Sequence, residues 1–291
     1  MTKFQVNLAI PALMLGLGAA LPAAAEPFSF STGNPTNFMA SATRPESAGK
    51  LEIESADDFV LSSPTAITRA TFTGLLTGAN PTIGQVVVEI YRVFPNDSDV
   101  GRTSGPPTFS TDRVPTRVNS PSDVALASRD SAAGELSFTT NTLSSSFTAN
   151  NSVQSGGIHP KPGQTTGGNG PVSGQEIQFS VDLTPFNLPA DHYFFVPQVE
   201  VNGGEFLWLS GERPITSGTP FSPDLQSWTR DAGLDPDWLR IGTDIVGGSP
   251  APTFNAAFTL EGTPIPEPAS LAMLGAALAG FAVLRRRRRT I

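Results

Sequence analysis

The chain has 291 residues, no cysteine and a formal net charge of −8. Without thiols there are no disulfides, no cysteine nucleophile and no thiolate metal site, so stability must come from burial and backbone pairing. All 26 Asp and Glu lie between Glu26 and Glu267, against 12 of the 18 Lys and Arg, giving 12 − 26 = −14 over that stretch; this argues against nucleic acid or anionic lipid as a partner and favours solubility, with divalent cations left as partners.

In chain order, Lys3 supplies a positive start, Leu8 to Leu21 is almost wholly apolar, and Ala23-Ala24-Ala25 fits the small-x-small rule. That pattern predicts a signal peptide over 1–25, delivered to a Sec translocon and cut by signal peptidase between Ala25 and Glu26. Residues 26–50 read as irregular, with Pro27, Pro35 and Pro45 among Ser, Thr and Asn. Strands are expected at Leu51–Glu54, Asp58–Leu61, Ala66–Thr73 and Gln85–Phe94. The last, with Val86, Val88 and Ile90 on one face, reads as a central strand. A long polar region follows Phe94, then strands at Asp123–Ser128 and Glu135–Thr140. Residues 141–154 are ambiguous and admit a short helix, and Gly156–Gly174 is a Gly/Pro-rich loop or linker.

The second half is more periodic. In Glu176–Leu183, Ile177, Phe179, Val181 and Leu183 share one face, the mark of a half-buried antiparallel strand. His192–Val201 is another strand, in which Pro197 suggests an edge or a bulge. Asn202-Gly203-Gly204 reads as a turn with Glu205–Ser210 as hairpin partner. Strands at Asp237–Val246 and Phe254–Leu260 complete the set. The expected fold class is all-β, an antiparallel β-sandwich or jelly roll spanning 26–263, with 156–174 as its flexible loop.

Chemistry-bearing residues are few. The two histidines, His159 and His192, read as surface groups in a loop and at a strand start, and no G-x-S-x-G elbow accompanies them. Asp57-Asp58, Asp97/Asp99 and Asp231/Asp235/Asp237 are the densest acidic groups; a glycoside hydrolase would need two carboxyls flanking a groove. Asn96 to Gly101 alternates acids ahead of a glycine, which makes Asp97 and Asp99 candidate Ca²⁺ ligands, although the loop is not an EF-hand. Trp208 sits in an apolar strand and reads as core. Trp228 and Trp238 lie in loop-like sequence and are the candidates for an exposed sugar-stacking face.

The chain ends Pro264-Ile265-Pro266-Glu267-Pro268, then sixteen apolar or small residues from Ala269 to Leu284, then Arg285, Arg286, Arg287, Arg288 and Arg289. As a helix the apolar run spans roughly 24 Å, short for a bilayer unless the arginines snorkel. The guanidinium cluster would hold the C-terminus in the cytoplasm and place the preceding domain outside. The small residues Ala272, Gly275, Ala276, Ala279 and Gly280 would let another helix approach closely.

This tail, 264–291, resembles the PEP-CTERM sorting signal of Gram-negative bacteria. Pro266, Glu267 and Pro268 match its motif, and Ile265 stands where Val is usual. The segment from Ala56-Asp57-Asp58-Phe59 to the Val86–Tyr91 strand loosely resembles the opening of other exported PEP-CTERM β-sandwich domains. The resemblance implies recognition by an exosortase, a membrane-embedded cysteine protease, and export linked to exopolysaccharide production. An inner-membrane precursor, then a surface or extracellular domain, is the implied itinerary; a permanent, uncut anchor is the alternative. The expected role is a non-enzymatic structural or binding component with no resident cofactor. The alternatives are a carbohydrate-binding module using Trp228 and Trp238 and a secreted glycoside hydrolase.

Overall fold

The computed structural model describes residues 26–98, 118–159, 164–215 and 224–265. The signal peptide, Asp99, the Pro266-Glu267-Pro268 motif, the apolar run and the five arginines lie outside the described residues. Among the described residues, no helix is long and apolar enough to cross a membrane.

The fold is all-β. Fourteen strands run in chain order: β1 (Phe28–Ser31), β2 (Pro35–Ala42), β3 (Ile53–Val60), β4 (Thr65–Leu76), β5 (Thr82–Arg92), β6 (Ala127–Asp130), β7 (Leu136–Ala149), β8 (Ser152–Val153), β9 (Val172–Leu188), β10 (His192–Asn202), β11 (Phe206–Gly211), β12 (Trp228–Asp231), β13 (Leu239–Arg240) and β14 (Phe258–Pro264). They form two sheets. The first has β4 at its centre. β9 and then β7 lie on one side of β4, and β14–β1 and β11–β2–β8 share the other. The second runs β13-β12-β3-β10-β5-β6. Pairing is antiparallel except between β2 and β8.

The main core lies between the sheets. The first sheet contributes Phe72, Phe179, Phe206, Trp208 and Phe258; the second contributes Phe59, Val86, Val88, Ile90 and Phe195. Phe72 stacks on Phe179 at 5.0 Å and Phe195 on Phe258 at 5.1 Å. Trp208 is core, as its apolar strand predicts, and its indole N–H donates to the Ala257 carbonyl at 2.9 Å. This aromatic layer supplies the burial that disulfides would otherwise supplement.

Several expectations are corrected. The segment 26–50 contains β1 and β2. β1 finds its hydrogen bonds on β14, more than two hundred residues away (Phe28 opposite Gly262), so local composition carries little trace of it. Residues 141–149 are strand, not helix. Breaks in register after Thr142 and Ser144 accommodate the extra residues, and the Ser144 hydroxyl, which donates to the Ser146 carbonyl and accepts from its N–H, fills the irregular stretch. The strand expected at Asp237–Val246 is only two residues long. Ile241–Val246 coils into a π-helical turn, and Asp244 accepts from the backbone N–H of Arg240 at 2.7 Å.

The turn at Asn202-Gly203-Gly204 is real, but β11 is not the hairpin partner of β10. β10 pairs with β3 and β5, whereas β11 pairs with β2 and β4 in the other sheet. The link between β4 and β5 switches sheets in the same way. The two crossings pack together: Gly78 has φ +104°, and a Cβ there would stand 2.2 Å from the Gly203 carbonyl. Glycine is required by both the backbone angle and the close approach.

Pro197 lies in β10 between two neighbours, yet costs no ladder bond. Pairing with β3 ends at Phe195. The Pro197 carbonyl accepts from the Thr43 hydroxyl, on the side away from β5. In a strand the N and O of one residue point the same way, so the missing N–H also faces away from β5.

Candidate functional site

The outer face of the second sheet holds most of the side chains that carry chemistry. The segment 224–240 builds onto it: β12 extends the sheet beside β3, and Leu225 and Trp238 pack with Tyr91, Phe194 and Val196 on this face. Trp228 and Trp238 are each 3 % exposed, so the expected sugar-stacking face is absent at these two residues. With Ala56, Tyr91, Phe194, Val196 and Leu225 they form a second, smaller core. Trp238 packs edge-on to Tyr91 at 5.4 Å and donates its N–H to the Ser122 carbonyl at 3.2 Å. Trp228 also helps line a hollow of about 250 Å³ with Asn119, Asp224 and Arg240. What reads as loop in this stretch is packed structure: Leu225, Trp228 and Trp238 join the outer-face core, whereas Leu234, Ile241 and Ile245 join a separate cluster with Met39, Val153 and Phe254.

Beside Trp238 on this face is a carboxyl cluster that the sequence reading did not assemble. Glu52 precedes β3, Glu54 lies in it, and Glu89 and Tyr91 come from β5. The three glutamates place carboxylate oxygens within 4.8 Å of one another. Arg230, on β12, closes the group. Its Nε pairs with Glu54 Oε2, one terminal nitrogen donates to the Tyr91 hydroxyl at 3.0 Å, and the other donates to Asp235 at 2.8 Å. Its guanidinium lies 4.4 Å from the Trp238 ring centre, a cation–π contact. The Tyr91 hydroxyl donates to Glu54 and lies 3.1 Å from Glu89 Oε2. Gln198 donates to Glu52 at 2.9 Å. The alternations Glu52-Ile53-Glu54 and Glu89-Ile90-Tyr91 do put these groups on one face, but polar outward residues ordinarily read as solvated.

The electrostatics follow from burial. Glu89 is pushed up to about 8, first by burial and then by the Glu54 charge, so at neutral pH it keeps its proton. Glu52 is raised by burial, opposed by its bond to Gln198. Burial, with the Glu54 charge second, drives the Tyr91 hydroxyl upward. Burial works against the charge on Arg230, but Glu54 and Tyr91 outweigh it and hold the guanidinium cationic. The arrangement is a charge-compensated, proton-sharing knot with hard oxygen atoms: Glu54 accepts from Arg230 and Tyr91, Glu52 accepts from Gln198, and the protonated Glu89 carboxyl lies against the Tyr91 oxygen.

The other acidic groups are likewise engaged. Asp57 accepts from the N–H of Ala256 at 2.7 Å and the Ser227 hydroxyl at 3.0 Å, and burial, reinforced by Asp58, pushes it well up. Asp58 is 2.6 Å from His192 Nε2 and accepts from the Leu225 N–H at 3.0 Å; burial raises it, partly offset by His192. His192 is therefore buried rather than a surface group. It shares a bond with a carboxylate but with no hydroxyl nucleophile among the described residues. His159 stands in the loop after a short helical turn at Ser155–Gly157. Asp231 caps its own turn by accepting from Gly233 and Leu234, and Asp235 pairs with Arg230. Asp97 adopts φ +54° and pairs with Arg92 at 3.1 Å. A polar hollow of about 380 Å³ on the first sheet is lined by Ser145, Ser146, Ser173 and Gln175 among others, with no carboxyl, amine or imidazole.

At the other end of the domain, β14 stops at Pro264. Ile265 still donates its N–H to the Pro64 carbonyl at 2.8 Å. Residues 264–289 match the family model of the PEP-CTERM protein-sorting motif. Nothing among the curated proteins and nothing among the solved structures matches the chain. The match includes Pro266-Glu267-Pro268 and all five arginines, and it identifies the segment as a sorting signal.

Proposed function

The chain carries a PEP-CTERM sorting motif, and from that premise we propose that it is a non-enzymatic structural or binding component of the cell surface, associated with exopolysaccharide. The motif makes it an exosortase-targeted protein exported to the cell envelope or surface. In this reading the signal peptide 1–25 starts export, the 269–284 helix and Arg285–Arg289 hold the precursor in the inner membrane, and the protease releases the domain. The observation that carries the proposal is the junction. Among the described residues, the last strand residue, Pro264, and the last backbone hydrogen bond, from Ile265, sit immediately ahead of Pro266. A cut at the motif therefore keeps every described core strand in the released domain.

A non-enzymatic role is favoured by the use of the polar groups. The dense carboxyl pairs act as acceptors for backbone, hydroxyl, imidazole or guanidinium donors, as a folded scaffold requires. The burial of Trp228 and Trp238 removes the reason for favouring a carbohydrate-binding module built on them.

Fractionation of the source cells tests the proposal. Wild-type protein is expected at the surface, bound with exopolysaccharide. In cells lacking exosortase, or with Pro266, Glu267 and Pro268 all changed to Ala, it is expected to accumulate in the inner membrane. Unchanged surface delivery in both backgrounds would contradict it.

A further inference from the structure

A strand at a sheet edge exposes unpaired N–H and C=O groups, and soluble proteins blunt such edges with short length, charge, proline or bulges. Four of the five edges among the described residues are blunted in this way. β1 has four residues between Pro27 and Gly33. β8 and β13 have two residues each. β6 has four and carries Arg129 and Asp130. β7 is different: it has 14 residues, with no charge and no proline from Leu136 to Ala149.

Its inner side pairs with β9 in unbroken register from Leu136 to Thr142. Past Ala149 the chain turns toward β2, where the Asn150 N–H donates to the Asn37 carbonyl at 2.7 Å. Between Ser137 and Thr142, no strand pairs with its outer edge among the described residues. Phe138 turns inward, 6.0 Å from Phe179, and anchors the strand to the core. Ser137, Thr139, Thr140, Asn141 and Thr142 are exposed.

We propose that β7 pairs with β7 of a second copy of this chain, antiparallel about a two-fold axis at Thr139, joining two first sheets into one. Charge selects the occupant. With −14 over 26–267, two copies repel across most of their surfaces. β7 is the one long edge among the described residues at which identical chains meet without opposing charges. Its hydroxyl and amide groups both donate and accept, so the strip is complementary to itself, as a two-fold interface requires. The axis falls at Thr139 because that residue is the midpoint of the regular stretch. In that register Glu135 opposes Leu143 of the second copy rather than its own equivalent. Pairing over about seven residues covers much less than the roughly 1,200–2,000 Å² of a stable complex. The contact is therefore weak in dilute solution and forms where copies are crowded, as on a surface.

The absence of cysteine makes the test clean. Single variants Ser137→Cys, Thr139→Cys and Asn141→Cys, with Ser29→Cys on β1 as control, are oxidised as full-length chains in mild detergent. Each position is exposed, and a thermal melt verifies folding of each variant. Directly opposed Cβ atoms in an antiparallel pair lie ~4.5–5.5 Å apart, close to disulfide reach. Thr139→Cys is expected to form disulfide dimers about tenfold faster than Ser29→Cys. Ser137→Cys and Asn141→Cys should each dimerise slowly alone but trap each other when mixed. Equal rates at Thr139 and Ser29, or equal rates at all three β7 positions with no gain on mixing, would show random collision and overturn the proposal.

Discussion

The outer face of the second sheet and the free edge of the first solve opposite problems. The former gathers Glu52, Glu54, Glu89 and Arg230 and closes them in with Tyr91 and Trp238. The latter leaves a long strand open and carries no charge at all. Most of the chemistry in this chain thus serves to close the fold, whereas the open surface is chemically bland. Charge density in the sequence is for this reason a poor guide to where the molecule meets others.

The sharpest way to break that comparison is Arg230→Met. It leaves Glu54 buried opposite Glu89 without its cation, and stability to urea is expected to fall by about 3–5 kcal/mol. Asn141→Lys on β7 is expected to change stability by no more than about 0.5 kcal/mol. Similar losses for the two would remove the distinction. Tyr91→Phe deletes the hydroxyl bridging Glu54, Glu89 and Arg230, and a loss of about 1–3 kcal/mol is expected in the same assay.

The pH dependence comes next in size. Glu89 has its folded value at about 8, above its ordinary 4.5. The unfolded chain releases this proton first, so the stabilisation is full below about 4.5, declines as pH rises toward about 8, and is lost above it. The slope stays below about 1.4 kcal/mol per pH unit, because solvent reaches part of Glu89. In Glu89→Gln the decline between pH 5 and 8 should flatten, with a remainder from Glu52, Asp57 and Asp58, which are shifted in the same direction. An unchanged slope in urea midpoints would show that Glu89 is not the titrating group. The smallest effect is spectroscopic. With Trp208, Trp228 and Trp238 all buried, tryptophan emission should not shift when the host polysaccharide is added.

What was legible in the sequence is what depends on near neighbours. The alternation of Ile177, Phe179, Val181 and Leu183 gave β9 its core face, and the Val86–Ile90 run gave β5. The tail was readable because its residues act as a linear signal. Partnerships across the chain were not. Glu54 and Arg230 are 176 residues apart, and no local period links them. β1 exists because β14 supplies its hydrogen bonds. β10 and β11 look like a hairpin because a Gly-Gly turn joins them, yet each finds a longer partner in a different sheet. Trp228 and Trp238 sit among prolines and aspartates that suggest exposure, and only the sheet beneath them shows why they are buried.

The intact mass of the protein recovered from the cell surface tests the central claim most directly. A polypeptide beginning at Glu26 and ending within Pro266–Pro268 is the predicted result, since export and sorting would remove the two terminal segments and spare the sandwich. A surface protein whose mass still includes Arg285–Arg289 would contradict release at the motif and make the tail a permanent anchor.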